Sequence, residues 1–274
     1  MPTVEDRVED EPALIKAATA LRESKSLLSM EEAQSQLARK SCELKLPKPD
    51  AQALTGRQIC ERAREAYVRV GWHYLCRKCN KWHLNLAGGC YITADGVVAT
   101  AYHVVQTNRD MREGFLVVAT EGGKILPVTE VLAGNKSGDT CLLRVKIAAP
   151  VKPLPLNTNV YPGDSVWCYS DPLDHSGYFS AGIINRFLGV HDSNKIQTRM
   201  DVSTDWAPGS SGSAVLDVCG NVVGLVSEIE VESRPMETGN NRPRGGRRME
   251  PLITFHHAAR AAEVLALVKP VKAK

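Results

Sequence analysis

The stretch WAPGSSGSAVLD, Trp206–Asp217, decides how this chain is read. Its proline and small residues suit a loop, and Gly209-Ser210-Ser211-Gly212-Ser213 taken alone would pass for a flexible spacer. Yet it runs straight into Ala214-Val215-Leu216, an apolar run of strand character. A spacer and a rigid turn that presents one serine predict different surroundings, so the remainder of the chain has to choose.

The 274 residues suffice to bury a real core, as one large domain or two small ones. Hydrophobic residues at 43% and charged residues at 24% are ordinary for a globular protein. A formal net charge of +3 gives no case for nucleic acid, and no apolar run reaches the length of a membrane span. The acidic start, MPTVEDRVEDEP, lacks the hydrophobic segment of a signal peptide.

Residues 1–50 differ in texture from the rest of the chain. Ala13 to Leu28 and Met30 to Leu46 carry apolar residues at helical spacing, so a helical N-terminal extension is expected, ended by the two prolines of LPKPD at 46–50. Thr55 is a suitable N-cap for a third helix, GRQICERAREAY. From Tyr67 the chain turns to short apolar runs, from YVRVGW at 67–72 to VVGLVSE at 222–228. They are separated by turn signals such as Asp95-Gly96, Gly122-Gly123 and Gly220-Asn221. This cadence predicts an all-β barrel or sandwich of roughly 200 residues. A last helix is expected from His257 to Val268, with a basic tail at 269–274.

Hydrolysis by a serine nucleophile needs a hydroxyl, an imidazole base and a carboxylate that orients the imidazole. His103 ends an apolar strand, Asp139 precedes one, and Ser211 sits in the opening stretch. Each lies where a strand meets a loop, so a rigid sheet can hold it at a rim. Any one alone would be a rim histidine, a turn aspartate or loop filler. Their chain order, His-Asp-Ser, is what gives the set meaning.

Four long blocks carry a resemblance: GGCYITADGVVATAYHVV at 88–105, VLAGNKSGDTCLLRVK at 131–146, GDSVWCYSDPLDHSGYFSAGIINRF at 163–187, and IQTRMDVSTDWAPGSSGSAVLDVCGNVVGLVS at 196–227. They resemble, in order, the corresponding segments of the trypsin-like serine proteases, most closely the Deg/HtrA branch. The resemblance implies two six-stranded antiparallel β-barrels over 51–268 with the active site between them. It implies a serine endopeptidase acting on protein or peptide substrates, with His103 as base, Asp139 as its orienting group and Ser211 as nucleophile. The N–H groups of Gly209 and Ser211 would form the oxyanion hole. Ser227 would support Asp139, and Ser227-Glu228-Ile229 would be the edge that pairs with substrate backbone. Asp205 and Trp206 would lie at the specificity pocket, where the family offers either a basic or a small aliphatic preference. The branch also implies an extracytoplasmic location, and oligomer formation through an N-terminal segment.

The chain departs from the pattern in places. Ser213 replaces a glycine after the nucleophile, and Tyr102 replaces the small residue before the histidine. Ser210 stands where digestive trypsins carry an aspartate that pairs with a new N-terminus, so activation by N-terminal cleavage is not expected. The PDZ domains of the branch are absent from the sequence. No metal is needed for catalysis by such a triad.

Two features stand outside this reading. In GWHYLCRKCNKWHLNL at 71–86, His73, Cys76, Cys79 and His83 have a spacing that could hold structural zinc at a hairpin tip. A Cys76–Cys79 disulfide and free thiols are the alternatives. His73 and Cys76 are an odd number of residues apart, which on a regular strand places them on opposite faces. Cys141, Cys168 and Cys219 fall in strand patterns and are expected in the core. The segment 233–250 carries Arg234, Arg242, Arg244, Arg247 and Arg248. With no aromatic platforms beside them, it reads as a solvated insertion.

Overall fold

The computed structural model describes residues 10–192, 195–235 and 249–271. The extension comprises α1 (Glu11–Glu23), a two-residue strand β1 (Leu28–Ser29), α2 (Met30–Gln36) and β2 (Cys42–Glu43). Both helices are shorter than the sequence periodicity suggests. α1 starts where Asp10 accepts from the Ala13 N–H. α2 starts at a capping box, with Ser29 and Glu32 each satisfying a backbone donor of the other. Thr55 and Gln58 make a second capping box at the start of α3 (Gly56–Ala66).

The first half of the β-structure is β3 (Tyr67–Cys76), β4 (Trp82–Tyr91), β5 (Val97–Thr100), the short helix α4 (Tyr102–Val105), β6 (Met111–Thr120), β7 (Ile125–Asn135) and β8 (Thr140–Val145). The second is β9 (Ser165–Ser170), β10 (Tyr178–Asp192), β11 (Lys195–Val202), β12 (Ala214–Leu216), β13 (Val222–Pro235) and β14 (Met249–Arg260), followed by α5 (Ala261–Leu265) and β15 (Val268–Lys269). In the first half the antiparallel order β6-β3-β4-β5-β8-β7 closes into a ring through pairing of β6 with β7, and β1 adds to β6. In the second, β10-β11-β14-β13-β12-β9 is a closed barrel.

Alternation along the strands fills the two interiors. Val68, Val70 and Trp72 of β3 pack with Leu116 and Val118 of β6 inside the first ring. Val166, Ile184, Met200, Val202 and Val226 fill the second. A third cluster lies where both rings meet α3 and α5, holding Ile59, Ile92, Leu142, Leu216 and Val264. It makes the junction between the rings a packed surface rather than a hinge. Cys90, Cys141 and Cys168 are buried, and burial pushes the thiols of Cys90 and Cys168 up to about 12. Cys219 corrects the expectation, since it sits half-buried in the turn before β13.

The C-terminus also differs from the sequence reading. The helix is confined to Ala261–Leu265, and His257 belongs to β14. Ala258 and Ala259 are good helix formers, yet both are strand residues here, paired with Met200 and Arg199 of β11 on one side and with Val226 and Leu225 of β13 on the other. A Cβ on Gly224 would lie 2.7 Å from the Ala259 carbonyl oxygen and 3.3 Å from Ala258 Cβ, so position 224 requires glycine and Ala258 has little room beside it. Of the arginine-rich segment, Arg234 closes onto Glu250 at 3.1 Å. Arg242, Arg244, Arg247 and Arg248 lie outside the described residues.

Candidate active site

β5 delivers the chain to α4, which carries His103, and the turn between β7 and β8 carries Asp139. The Nδ1 of His103 lies 3.0 Å from each oxygen of the Asp139 carboxylate, and the His103 backbone N–H donates to Asp139 Oδ1 at 3.1 Å. A third donor comes from the other barrel: Ser227 Oγ lies 2.5 Å from Asp139 Oδ2. Ser227 can reach because β13 bulges at it, its neighbours Val226 and Glu228 pairing with the adjacent residues Ala258 and His257. The carboxylate therefore has its orientation fixed from two barrels. An Nδ1 facing a carboxylate carries the ring proton in neutral imidazole, which leaves Nε2 as the basic nitrogen. Burial works against a charge on His103. The hydrogen bond to Asp139, its charge and that of Glu228 outweigh burial, and the pKa is raised above its ordinary 6.5.

Ser211 lines the same cleft as His103, together with Gly209, Asn85, Leu86 and Met111. Among the described residues no direct hydrogen bond joins Ser211 to His103. Such contacts are often long without substrate and tighten when it binds. The loop around Ser211 is held on several sides. Gly88 N–H donates to the Ser211 carbonyl at 2.7 Å, and Gly212 N–H donates to the Val226 carbonyl at 2.7 Å. Ser210, buried, donates to Ser170 Oγ at 3.0 Å, which occupies it without any ion pair.

The peptide between Pro208 and Gly209 has a defined direction. Leu173 N–H donates to the Pro208 carbonyl at 2.7 Å, and in a trans peptide the following N–H points the opposite way. That conformation places Gly209 at φ 102, with space for no side chain, because a Cβ would lie 2.6 Å from the Asp171 carbonyl oxygen. Among the described residues the N–H groups of Gly209 and Ser211 have no hydrogen-bond partner, so both are free to donate to a ligand.

The other expected residues are less uniform. Glu228 and Ile229 follow Ser227 on β13, whose outer edge beyond Leu225 pairs with no strand among the described residues. Trp206 is buried in the second barrel, edge-on to His256 at 5.1 Å, with its indole N–H 3.4 Å from the Glu228 carbonyl. Asp205 is exposed, its carboxylate 3.4 Å from the Tyr178 hydroxyl.

Cys76, Cys79 and His83 come together, their ligand atoms all within 4.8 Å of one another. His73 does not join them and has to be removed from that set. It is wholly buried, stacked on Trp82 at 4.7 Å, with Nε2 3.3 Å from Thr19 Oγ1. Burial and the nearby Arg22 charge lower its pKa to about 4. Strand alternation, which turns His73 and Cys76 to opposite faces of β3, is the physical reason.

Sequence reasoning assigned no task to Gly88 or to the 171–175 loop, although they hold the Ser211 carbonyl and the Pro208 peptide. The double glycine at 88–89 and the Asp-Pro pair at 171–172 were the available signals.

A two-ring β-fold with this loop at the junction is the architecture of a peptidase of the trypsin type. The family model of the trypsin-like peptidase domain matches residues 87–225, and the chain belongs to that family. The chain is 26% identical over 145 residues to the mitochondrial serine protease HTRA2 of Bos taurus, covering 50% of this chain and 30% of that protein. It is 26% identical over 143 residues to the anti-sigma-I factor RsgI9 of Acetivibrio thermocellus, covering 51% and 19%. The third relative, uncharacterized protein y4bJ of Sinorhizobium fredii, is 26% identical over 144 residues, covering 51% and 21%. The matches thus span less than a third of each relative's length. No helix among the described residues is long and apolar enough to cross a membrane.

Proposed function

We propose that the protein is a serine endopeptidase of Deg/HtrA type that cleaves protein substrates through an acyl-enzyme. Ser211 attacks the scissile carbonyl carbon while His103 Nε2 takes its proton. Asp139 keeps the Nδ1 tautomer and stabilises the imidazolium that forms. The tetrahedral oxyanion accepts from the N–H groups of Gly209 and Ser211. Because that charge exists only in the tetrahedral state, each donor lowers the barrier rather than merely tightening binding. His103 then returns the proton to the leaving amine, and water repeats the sequence on the ester. Substrate backbone adds to the open edge of β13 at Ser227-Glu228-Ile229.

The observation that carries this reading is the Asp139 carboxylate, held at once by His103 and by Ser227 from the opposite barrel. A latent protein that binds peptides on the same fold is the rival, favoured by the absence of a Ser211–His103 hydrogen bond among the described residues. Labelling with a fluorophosphonate probe separates the two. The wild-type chain should label, and Ser211→Ala and His103→Ala should not. A folded wild type that resists the probe would favour the latent protein.

A further inference from the structure

The cluster at the tip of the β3–β4 hairpin has no part in the proposed peptide hydrolysis. Cys79 Sγ and His83 Nε2 are 2.9 Å apart, and Cys76 Sγ lies within 4.8 Å of both ligand atoms. The turn is built to gather them. Asn80 takes a left-handed conformation at φ 55, its N–H donates to the Cys76 carbonyl at 3.0 Å, and Cys76 N–H donates to the Lys81 carbonyl at 2.9 Å. Lys78 N–H donates to Cys76 Sγ at 3.4 Å, an outer contact of the kind that steadies a metal-bound thiolate. A disulfide would use two sulfurs and give no role to the imidazole. Three soft donors converging from one tight turn suit a tetrahedral ion with N and S ligands.

The geometry points to a zinc site formed by Cys76, Cys79 and His83, with water in the fourth position. Cys79 is exposed, so solvent reaches the site. The Asp110 carboxylate is held by Lys78 of the knuckle at 2.8 Å. His73 faces the other side of β3.

The ion also reaches the cleft through the knuckle. Arg77 N–H donates to the Asp110 carbonyl at 2.8 Å and Arg77 Nε to the Met111 carbonyl at 2.9 Å, while Lys78 grips the Asp110 side chain. Residues Gln106 to Asn108 and Met111 are the cleft wall that runs on from His103. Zinc at the tip therefore clamps this wall from behind.

The test uses the full chain, reduced, loaded with Zn2+ or Co2+ and desalted. One zinc per chain is expected by elemental analysis. Cobalt should give the visible bands of a tetrahedral thiolate site. Cys79→Ser, at an exposed position, and His83→Ala should each weaken zinc binding by more than the roughly 10- to 100-fold that loss of an outer partner costs. His73→Gln, with its fold verified by circular dichroism, should keep the cobalt bands. Zinc removal should raise susceptibility of the 106–111 segment to proteolytic nicking, a readout independent of the chain's own activity. Folded wild type without stoichiometric zinc would overturn the site. So would undiminished binding by Cys79→Ser, or a Cys76–Cys79 disulfide in protein isolated without metal. Loss of the bands in folded His73→Gln would overturn the three-ligand assignment.

Discussion

Glu228 holds a position where charge and geometry bear on the proposed base together. It follows Ser227 on β13 and its charge helps raise the His103 pKa, after the hydrogen bond and charge of Asp139. Catalysis needs His103 neutral to accept the serine proton, so activity falls as pH drops through that pKa. The acid limb of kcat/KM is therefore expected above the ordinary histidine value of about 6.5. Glu228→Gln removes one charge that favours imidazolium and leaves the side-chain length unchanged. Its acid limb should lie at lower pH than in wild type, with the plateau largely kept. A pH–rate profile on a peptide substrate checks this, and an unmoved limb would show that Glu228 exerts no field at the imidazole.

At the scale of elements, β4 and the Ser211 loop form one unit across the junction of the rings. Gly88 N–H bonds the Ser211 carbonyl, Thr100 Oγ1 bonds the Gly88 carbonyl at 2.7 Å, and a Cβ on Gly88 would fall 1.9 Å from Ser213 Oγ and 2.7 Å from its backbone nitrogen. Gly88→Ala has to push that loop away. Overpacking of this kind costs ~1–3 kcal/mol, and a displacement of about 1 Å at a nucleophile can cost ~100-fold in rate. The expected result is a modest fall in Tm with a far larger fall in the rate of fluorophosphonate labelling. Equal labelling rates would mean that β4 does not position the nucleophile. Such a contact between distant segments cannot be read from local pattern, which explains what the sequence did and did not disclose. Turn residues and alternation marked every strand of the two rings except β14, because each signal is local. β14 was missed because Ala258 and Ala259 carry helix propensity, whereas their pairing with β11 and β13 joins segments distant in sequence. His103, Asp139 and Ser211 are candidates by their order and flanking blocks, a signal that does not depend on distant contacts. The exclusion of His73 from the cysteine cluster needed only strand parity. The Pro208 peptide direction, by contrast, depends on a distant upstream loop, at Leu173.

For the molecule as a whole, the N-terminal segment is packed into the first ring rather than appended to it. Leu14 and Ala18 of α1 cover Val117, Ala119 and Ile125, and Leu28 and Leu37 enter the interior cluster of that ring. Polar ties follow the same path. Gly134 N–H donates to the Arg39 carbonyl at 2.8 Å, and Val131 N–H donates to Gln36 Oε1 at 2.7 Å. Further on, β2 pairs in parallel with β15, so the two ends of the fold are joined. Burial of Leu14, Leu27, Leu28 and Leu37 is worth roughly 6–12 kcal/mol before the cost of ordering the segment is set against it. Whole-domain stabilities are about 5–15 kcal/mol, so even a fraction of that sum matters. Deleting residues 1–40 should lower Tm by at least about 5 °C, given ~2–4 °C per kcal/mol for a domain of this size. The uncovered face at Val117, Ala119 and Ile125 should bind a hydrophobic dye and promote self-association. Thermal melts and light scattering on the two chains decide the matter. A truncated chain that melts with the full one and stays monodisperse would make the segment a tether, and would place the stability of the first ring wholly in its own strands.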